Sequence, residues 1–256
     1  MHGNLSVIGF EGGAQNTVVS PGQSNEVRCL ALLPDGRLCS GSDDKTVKIL
    51  NISIGQCEMT LIGHSRWVMA VCVLSDTRIC SGSRDKTIKI WNVHSGVCEM
   101  TLTGHTDSVR SVVQLVDGRI CSGADDKTLK LWNLESGICE ATLVDHSLGV
   151  CVLIQHRGGR MCSGSYDDTI KIWNKSCEEC ERTLIGHTDW VRSLVELFDG
   201  RLCSGSYDGT IRLWNIDSGA CEQLLTGHTN TVYSVLELKD GRICTASEDS
   251  RIKIWS

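Results

Sequence analysis

Residues 186–215 read GHTDWVRSLVELFDGRLCSGSYDGTIRLWN. Three short runs inside this stretch, 191–197, 201–206 and 210–214, alternate apolar and polar residues. Alternation with period two is the signature of half-buried β-strands. The joints are Asp199-Gly200 and Asp208-Gly209, a dipeptide that favours tight hairpins because glycine supplies the left-handed backbone conformation without a steric penalty. The stretch is therefore expected to form a three-stranded antiparallel meander that opens on Gly-His and closes on Trp followed by a polar residue.

The rest of the chain repeats this unit every 41 residues. The closing Trp recurs at Trp91, Trp132, Trp173, Trp214 and Trp255, with Leu50 in the first copy. The opening His recurs at His64, His105, His146, His187 and His228, with Gln23 in the first copy. Four residues on, a valine never varies: Val27, Val68, Val109, Val150, Val191 and Val232. Six copies follow without an insertion or deletion. A period of about 40–45 residues with a Gly-His…Trp-Asp signature is that of a propeller blade of four strands. Over residues 16–256 the sequence resembles the WD-repeat β-propeller family. The resemblance implies an all-β fold, a single six-bladed β-propeller of four-stranded antiparallel blades. One departure is that Asn or Ser256, not Asp, follows the Trp.

Residues 1–15 read as an irregular N-terminal segment, polar and Gly-rich, with no secretory leader. Residues 16–20 (NTVVS) fall in register with CEMTL at 57–61 and CERTL at 180–184, so they read as an outer strand. The last repeat ends at Trp255-Ser256 and lacks one. The ring is thus expected to close by residues 16–20 pairing beside residues 251–255.

The net charge of −6 disfavours nucleic acid, whose partners carry basic surfaces. No apolar run reaches the ~18–20 residues of a membrane span. Fifteen cysteines are present, but six (Cys39, Cys80, Cys121, Cys162, Cys203, Cys244) fall in the second strand of each repeat and five (Cys57, Cys98, Cys139, Cys180, Cys221) in the outer strand. Those strands are second neighbours, about 9–10 Å apart, beyond the ~7 Å that a disulfide spans. Free thiols in that number point to a reducing intracellular compartment, cytoplasmic or nuclear. The lone Cys177-Glu-Glu-Cys180 reads as a turn.

Five repeats hold four residues in fixed register: His64, Ser81, Asp85, Trp91; His105, Ser122, Asp126, Trp132; His146, Ser163, Asp167, Trp173; His187, Ser204, Asp208, Trp214; and His228, Thr245, Asp249, Trp255. Ser, His and Asp together evoke a catalytic triad, yet five copies in one chain are wrong for a catalytic centre. The family resemblance implies a structural hydrogen-bonded set instead. The first copy has Gln23, Ser40, Asp44 and Leu50, and its loss of the indole donor is expected to make it the first to loosen. Arginines recur after the first hairpin at Arg37, Arg78, Arg119, Arg160, Arg201 and Arg242, most with an Asp two residues earlier, which reads as local ion pairing.

Against so uniform an array the exceptions carry information. Three positions vary: the residues flanking the invariant Val and the residue before the turn Asp. They hold all three tyrosines, Tyr166, Tyr207 and Tyr233, and the two tryptophans outside the closing position, Trp67 and Trp190. Arg28, Arg84, Arg110 and Arg192 share these positions. Trp, Tyr and Arg dominate binding hot spots. The sequence therefore predicts a non-catalytic scaffold whose partner-binding residues are Trp67, Arg84, Arg110, Tyr166, Trp190, Arg192, Tyr207 and Tyr233, on the face around the central channel. The expected partner is a protein or peptide, not a membrane or nucleic acid, and the expected state is a monomer. No catalytic residue, cofactor or metal site is expected. Two other classes remain open: an engineered or recently amplified propeller without a selected ligand, and a propeller hydrolase using Glu26, Asp43, Asp125 or Glu248.

Overall fold

A computed structural model describes residues 23–256, which form strands joined by turns and loops, with no helix among them. Contacts divide the chain into two compact units: the described residues up to Asp126 with Lys130–Thr142, and Lys127–Leu129 with Leu143–Ser256.

The first three sheets each have four antiparallel strands in sequence order. They are Val27–Leu32, Leu38–Ser42, Thr46–Asn51 and Gln56–Ile62; Val68–Val73, Ile79–Ser83, Ile88–Trp91 and Cys98–Leu102; and Val109–Gln114, Ile120–Ala124, Leu129–Trp132 and Cys139–Leu143. The fourth and fifth sheets repeat the plan with Val150–Gln155, Met161–Ser165, Ile170–Trp173 and Cys180–Leu184, then Val191–Glu196, Leu202–Ser206, Ile211–Trp214 and Cys221–Leu225. The sixth shows Val232–Glu237, Ile243–Ser247 and Ile252–Trp255. Its expected fourth strand, residues 16–20, lies outside the described residues, and so does the expected pairing beside residues 251–255.

Burial follows strand position. The second strand of the fifth sheet, Leu202–Ser206, is buried at every residue. After Leu202 only small side chains (Cys, Ser, Gly) flank its backbone, so neighbouring sheets approach closely there. The third strand alternates, with Ile211 and Leu213 buried and Arg212 half-buried. In the outer strands of the second to fourth sheets only the closing Leu102, Leu143 and Leu184 is buried.

The invariant valine has a packing cause. A Cβ placed on Gly205 would lie 2.7 Å from Val232 Cγ1, and one on Gly82 would lie 2.7 Å from Val109 Cγ1. Each valine thus fills the space that a glycine leaves in the preceding sheet. A side chain at either glycine would overpack a contact between sheets and cost about 1–3 kcal/mol.

The hairpins also depart from expectation. Gly209 sits at φ +76°, as its Asp-Gly pair requires, but Lys45, Lys86, Lys127, Asp168 and Ser250 hold the same turn position at φ between 64° and 72°. The turn is imposed by the sheet and by the preceding Asp, whose carboxylate accepts from the backbone two residues on, as Asp85 does from Thr87 N (3.0 Å).

Asparagine after the closing Trp is explained as well. Asn92 Oδ1 accepts from His94 N and Ser95 N, while its Nδ2 donates to Glu99 Oε1 at 2.9 Å. Asn133 and Asn215 repeat the pattern with Glu140 and Glu222. Aspartate lacks that donor. All fifteen cysteines are free thiols. Cys177 is buried in a turn, its N–H donating to Asn174 O at 2.9 Å.

Candidate functional site

Pairing of the first and second strands slips by one residue in every sheet. In the fifth, Val191 faces Ser206 and Ser193 faces Gly205, leaving Arg192 without an opposite. The same bulge isolates Arg28, Met69, Arg110, Cys151 and Tyr233 in the other repeats. A bulge turns the extra residue out of the ladder and re-aims its side chain. The backbone thus singles out one of the three variable positions. The other two are tied together: the residue before each turn Asp donates its N–H to the carbonyl of the residue before the invariant Val, as Tyr207 N does to Trp190 O and Arg84 N to Trp67 O, both at 2.9 Å.

In the second unit these positions carry a ladder of rings. Tyr166 and Trp190 have centroids 4.4 Å apart, Trp190 and Tyr207 4.9 Å, and Tyr207 and Tyr233 6.2 Å in an edge-on arrangement. Each lies within the range of favourable ring contacts. The tyrosines and Arg192 are half-buried, and Trp190 is 39% exposed. Burial, with Glu248 and Tyr207 beside it, pushes the Tyr233 phenol upward. Asp168 is raised too, by burial and then by Asp189, Asp167 and Asp208, so the ladder has an acidic margin.

In the first unit the arginines divide into two groups. Arg28 is matched to Asp43, with Nε 2.8 Å from Oδ1, and to Glu26. Arg110 is matched to Asp125 at 2.7–2.9 Å. These acids sit at variable positions of the same repeats and occupy the charge that the sequence offered to a partner. Three of the hydrolase candidates, Glu26, Asp43 and Asp125, are thereby held in arginine pairs. Arg84 has no acidic partner among the described residues; its guanidinium lies 4.5 Å from the Trp67 ring centroid.

The recurring rim arginines are neutralised as expected. Arg37, Arg119 and Arg201 pair with Asp35, Asp117 and Asp199 at 2.7–2.8 Å. Where the fourth repeat has Gly158 in place of that Asp, Arg160 reaches Asp217 of the next repeat at 2.6 Å.

The His–Ser–Asp–Trp residues are brought together in every complete repeat. In the fifth, Trp214 Nε1 donates to Ser204 Oγ (2.8 Å), His187 Nε2 lies 2.7 Å from the same oxygen, and His187 Nδ1 lies 2.8 Å from Asp208 Oδ2. The second to fourth repeats match within 0.1 Å, and Thr245 replaces Ser in the sixth. The serines and histidines are buried. Burial pushes the Asp208 carboxyl up, but hydrogen bonds from His187, Thr210 and Thr188 outweigh it and hold the group well below the usual carboxylate range. Asp85 and Asp167 behave alike.

The first repeat keeps more of this set than its sequence suggested. With the Gln23 amide turned to satisfy both ends, its oxygen accepts from Ser40 Oγ (2.8 Å) and its nitrogen reaches both Asp44 carboxylate oxygens (3.0 Å). Gln23 replaces the imidazole as a bridge, so only the indole bond is missing at Leu50.

The model of the family described as WD domain, G-beta repeat matches residues 15–51, 55–92, 96–133, 137–174, 178–215 and 219–256. Among solved structures the chain is similar to the WD40 β-propeller domain of Doa1, with a TM-score of 0.79, 27% identity, and coverage of 93% of this chain and 81% of that one.

Proposed function

From the premise that this chain belongs to the WD-repeat β-propeller family, whose members typically act as protein-interaction scaffolds, we propose that it is a non-catalytic docking platform and that the Tyr166–Trp190–Tyr207–Tyr233 ladder receives a segment of a partner protein. The observation that carries this reading is the ladder itself: four consecutive rings, 4.4–6.2 Å apart, at positions that the scaffold leaves free to vary. Rings already braced against one another lose little side-chain entropy on binding. Arg192, on the bulge beside them, has no ion-pair partner among the described residues and supplies a donor fork for a carboxylate or carbonyl. Trp67, Arg84 and Arg110, also expected to bind a partner, belong to the other unit and are not needed by the ladder.

Affinity capture with mass spectrometry identifies the partner, and the double substitution Trp190→Ala, Tyr207→Ala tests the site. Loss of two such anchors weakens a complex by at least ~2 kcal/mol, about 30-fold. A melting curve separates loss of binding from loss of fold, because Tyr207 is half-buried and both rings brace their neighbours. A partner bound equally well by the double variant refutes the ladder as the docking site.

A further inference from the structure

A cleft of about 540 Å³ in the first unit is lined by Lys45, Ser65, Arg66, Trp67 and Arg84. Three of its five lining residues are cations and none is an acid. Lys45, Arg66 and Arg84 form no ion pair among the described residues, and the nearby acids are engaged elsewhere. Asp43 and Glu26 bind Arg28, Asp44 binds Ser24 N, Thr46 N and the Thr46 hydroxyl, and Asp85 binds His64 and Thr87.

The repeat register shows how local this charge is. The cleft joins the residue after the turn Asp of one repeat to the second residue after the His, and the residue before the turn Asp, of the next. In the first and second repeats these are Lys45, Arg66 and Arg84; one repeat on they are Lys86, Asp107 and Asp125; in the fourth and fifth they are Asp168, Asp189 and Tyr207. Among all six repeats Arg66 is the only cation two residues after the opening position, and Arg84 the only one before the turn Asp. Sequence reading named Trp67 and Arg84 for a partner but not Lys45, Ser65 or Arg66, because Lys45 looks like any turn lysine until the two repeats are set side by side.

We propose that this cleft binds a phosphorylated serine or threonine of a partner protein. A carboxylate would neutralise only one of three cations, whereas a phosphomonoester carries about −1.5 to −2 charge and three strong acceptor oxygens. Arg66 and Arg84 offer paired N–H donors, Lys45 a point charge and Ser65 a hydroxyl. Guanidinium groups of Arg28 and Arg84 lie over the Trp67 ring, 5.2 and 4.5 Å from its centroid, so the indole positions arginine and is not left open to stack a base. A nucleic-acid strand would need a run of phosphate contacts, but the next repeat boundary places Asp107 and Asp125 where Arg66 and Arg84 stand. The site is independent of the aromatic ladder.

The test is a screen of the immobilised full chain with an oriented peptide library bearing a fixed central phosphoserine, followed by anisotropy titration with the peptide most enriched. Binding should fall at least 30-fold for the same peptide without phosphate and at least 10-fold for Arg66→Gln. The decisive variant is Lys45→Gly, because glycine suits the φ of 72° found there and leaves the fold intact. It should also lose about 10-fold, while Lys86→Gly, with the same φ of 72° but outside the cleft, should bind as the parent does. Affinity should drop as salt is raised. Equal recovery of phosphorylated and unphosphorylated peptides, or full binding by Lys45→Gly, overturns the proposal. So does binding of inorganic phosphate with no gain from the peptide, or preference for phosphoinositide vesicles or an oligonucleotide.

Discussion

Replacing Ser204 by Ala removes one oxygen and leaves two buried groups stranded. Trp214 Nε1 loses its acceptor at 2.8 Å, and His187 Nε2, 2.7 Å from the same atom, loses its partner. Both side chains are almost wholly buried, and Ala adds no cavity large enough for water. Each stranded group costs about 1–3 kcal/mol, so about 3 kcal/mol is a fair working figure for the pair. For a chain of this length that is about 6–12 °C in melting temperature. The comparison variant is Ser40→Ala. In the first repeat only the Gln23 amide loses a partner, and Leu50 has no N–H to strand, so the loss should be about 1 kcal/mol. Scanning calorimetry on the parent and both variants measures the difference, and amide exchange in Leu202–Ser206 localises it. If Ser204→Ala melts within 2 °C of Ser40→Ala, the hydrogen-bonded set is not what secures the fifth sheet.

Asp208→Asn should flatten the acid limb of the stability profile. The folded Asp208 carboxyl lies below its ordinary value of 3.8, so its contribution is full above that pH and fades as pH falls towards the folded value; urea titrations from pH 6 to pH 2 should show a shallower decline in the variant. Among the thiols, Cys221 is exposed and should react first with iodoacetamide, whereas burial pushes Cys162 up to about 12 and Cys39 and Cys80 well above the ordinary value. Rapid native-state modification of those three, read by peptide mass mapping, would contradict the packing. Asn92→Asp should destabilise by about 0.5–1 kcal/mol by setting a carboxylate against Glu99, and Asn92→Asp with Glu99→Gln should recover most of it.

The period, the strands and the four-residue sets were legible because each depends on residue type at a fixed spacing. Trp214, Ser204 and His187 are far apart in sequence but repeat in step, and a repeated coincidence reads as contact. The bulge was not legible. Nothing in Val191-Arg192-Ser193 says which of the three will lack an opposite; that is decided when the first strand pairs with Leu202–Ser206. The pairing of Arg28 and Arg110 with Asp43 and Asp125 was written in the sequence as two changes in the same repeats, but it became visible only once the hairpin set the positions across from each other. Gln23 was overlooked for a related reason: an amide carries one donor end and one acceptor end, as a neutral imidazole does, whereas the expectation for the first repeat rested on Leu50 lacking a donor.

The slipped residue at the start of every sheet separates two kinds of inheritance. Because it is excused from the ladder, exchanging it leaves the pairing of the two strands intact, so a mutation there is felt through the side chain alone, as in the ion pairs of Arg28 and Arg110 or the ring contact of Tyr233. Arginine stands there three times (Arg28, Arg110, Arg192) and Met69, Cys151 and Tyr233 once each, on backbones that otherwise copy one another. A designer wishing to retarget this chain would begin with Met69 and Arg192, the slipped residues with no ion pair or ring contact among the described residues, and leave the glycine–valine contacts and hydrogen-bonded sets of each 41-residue repeat as they are.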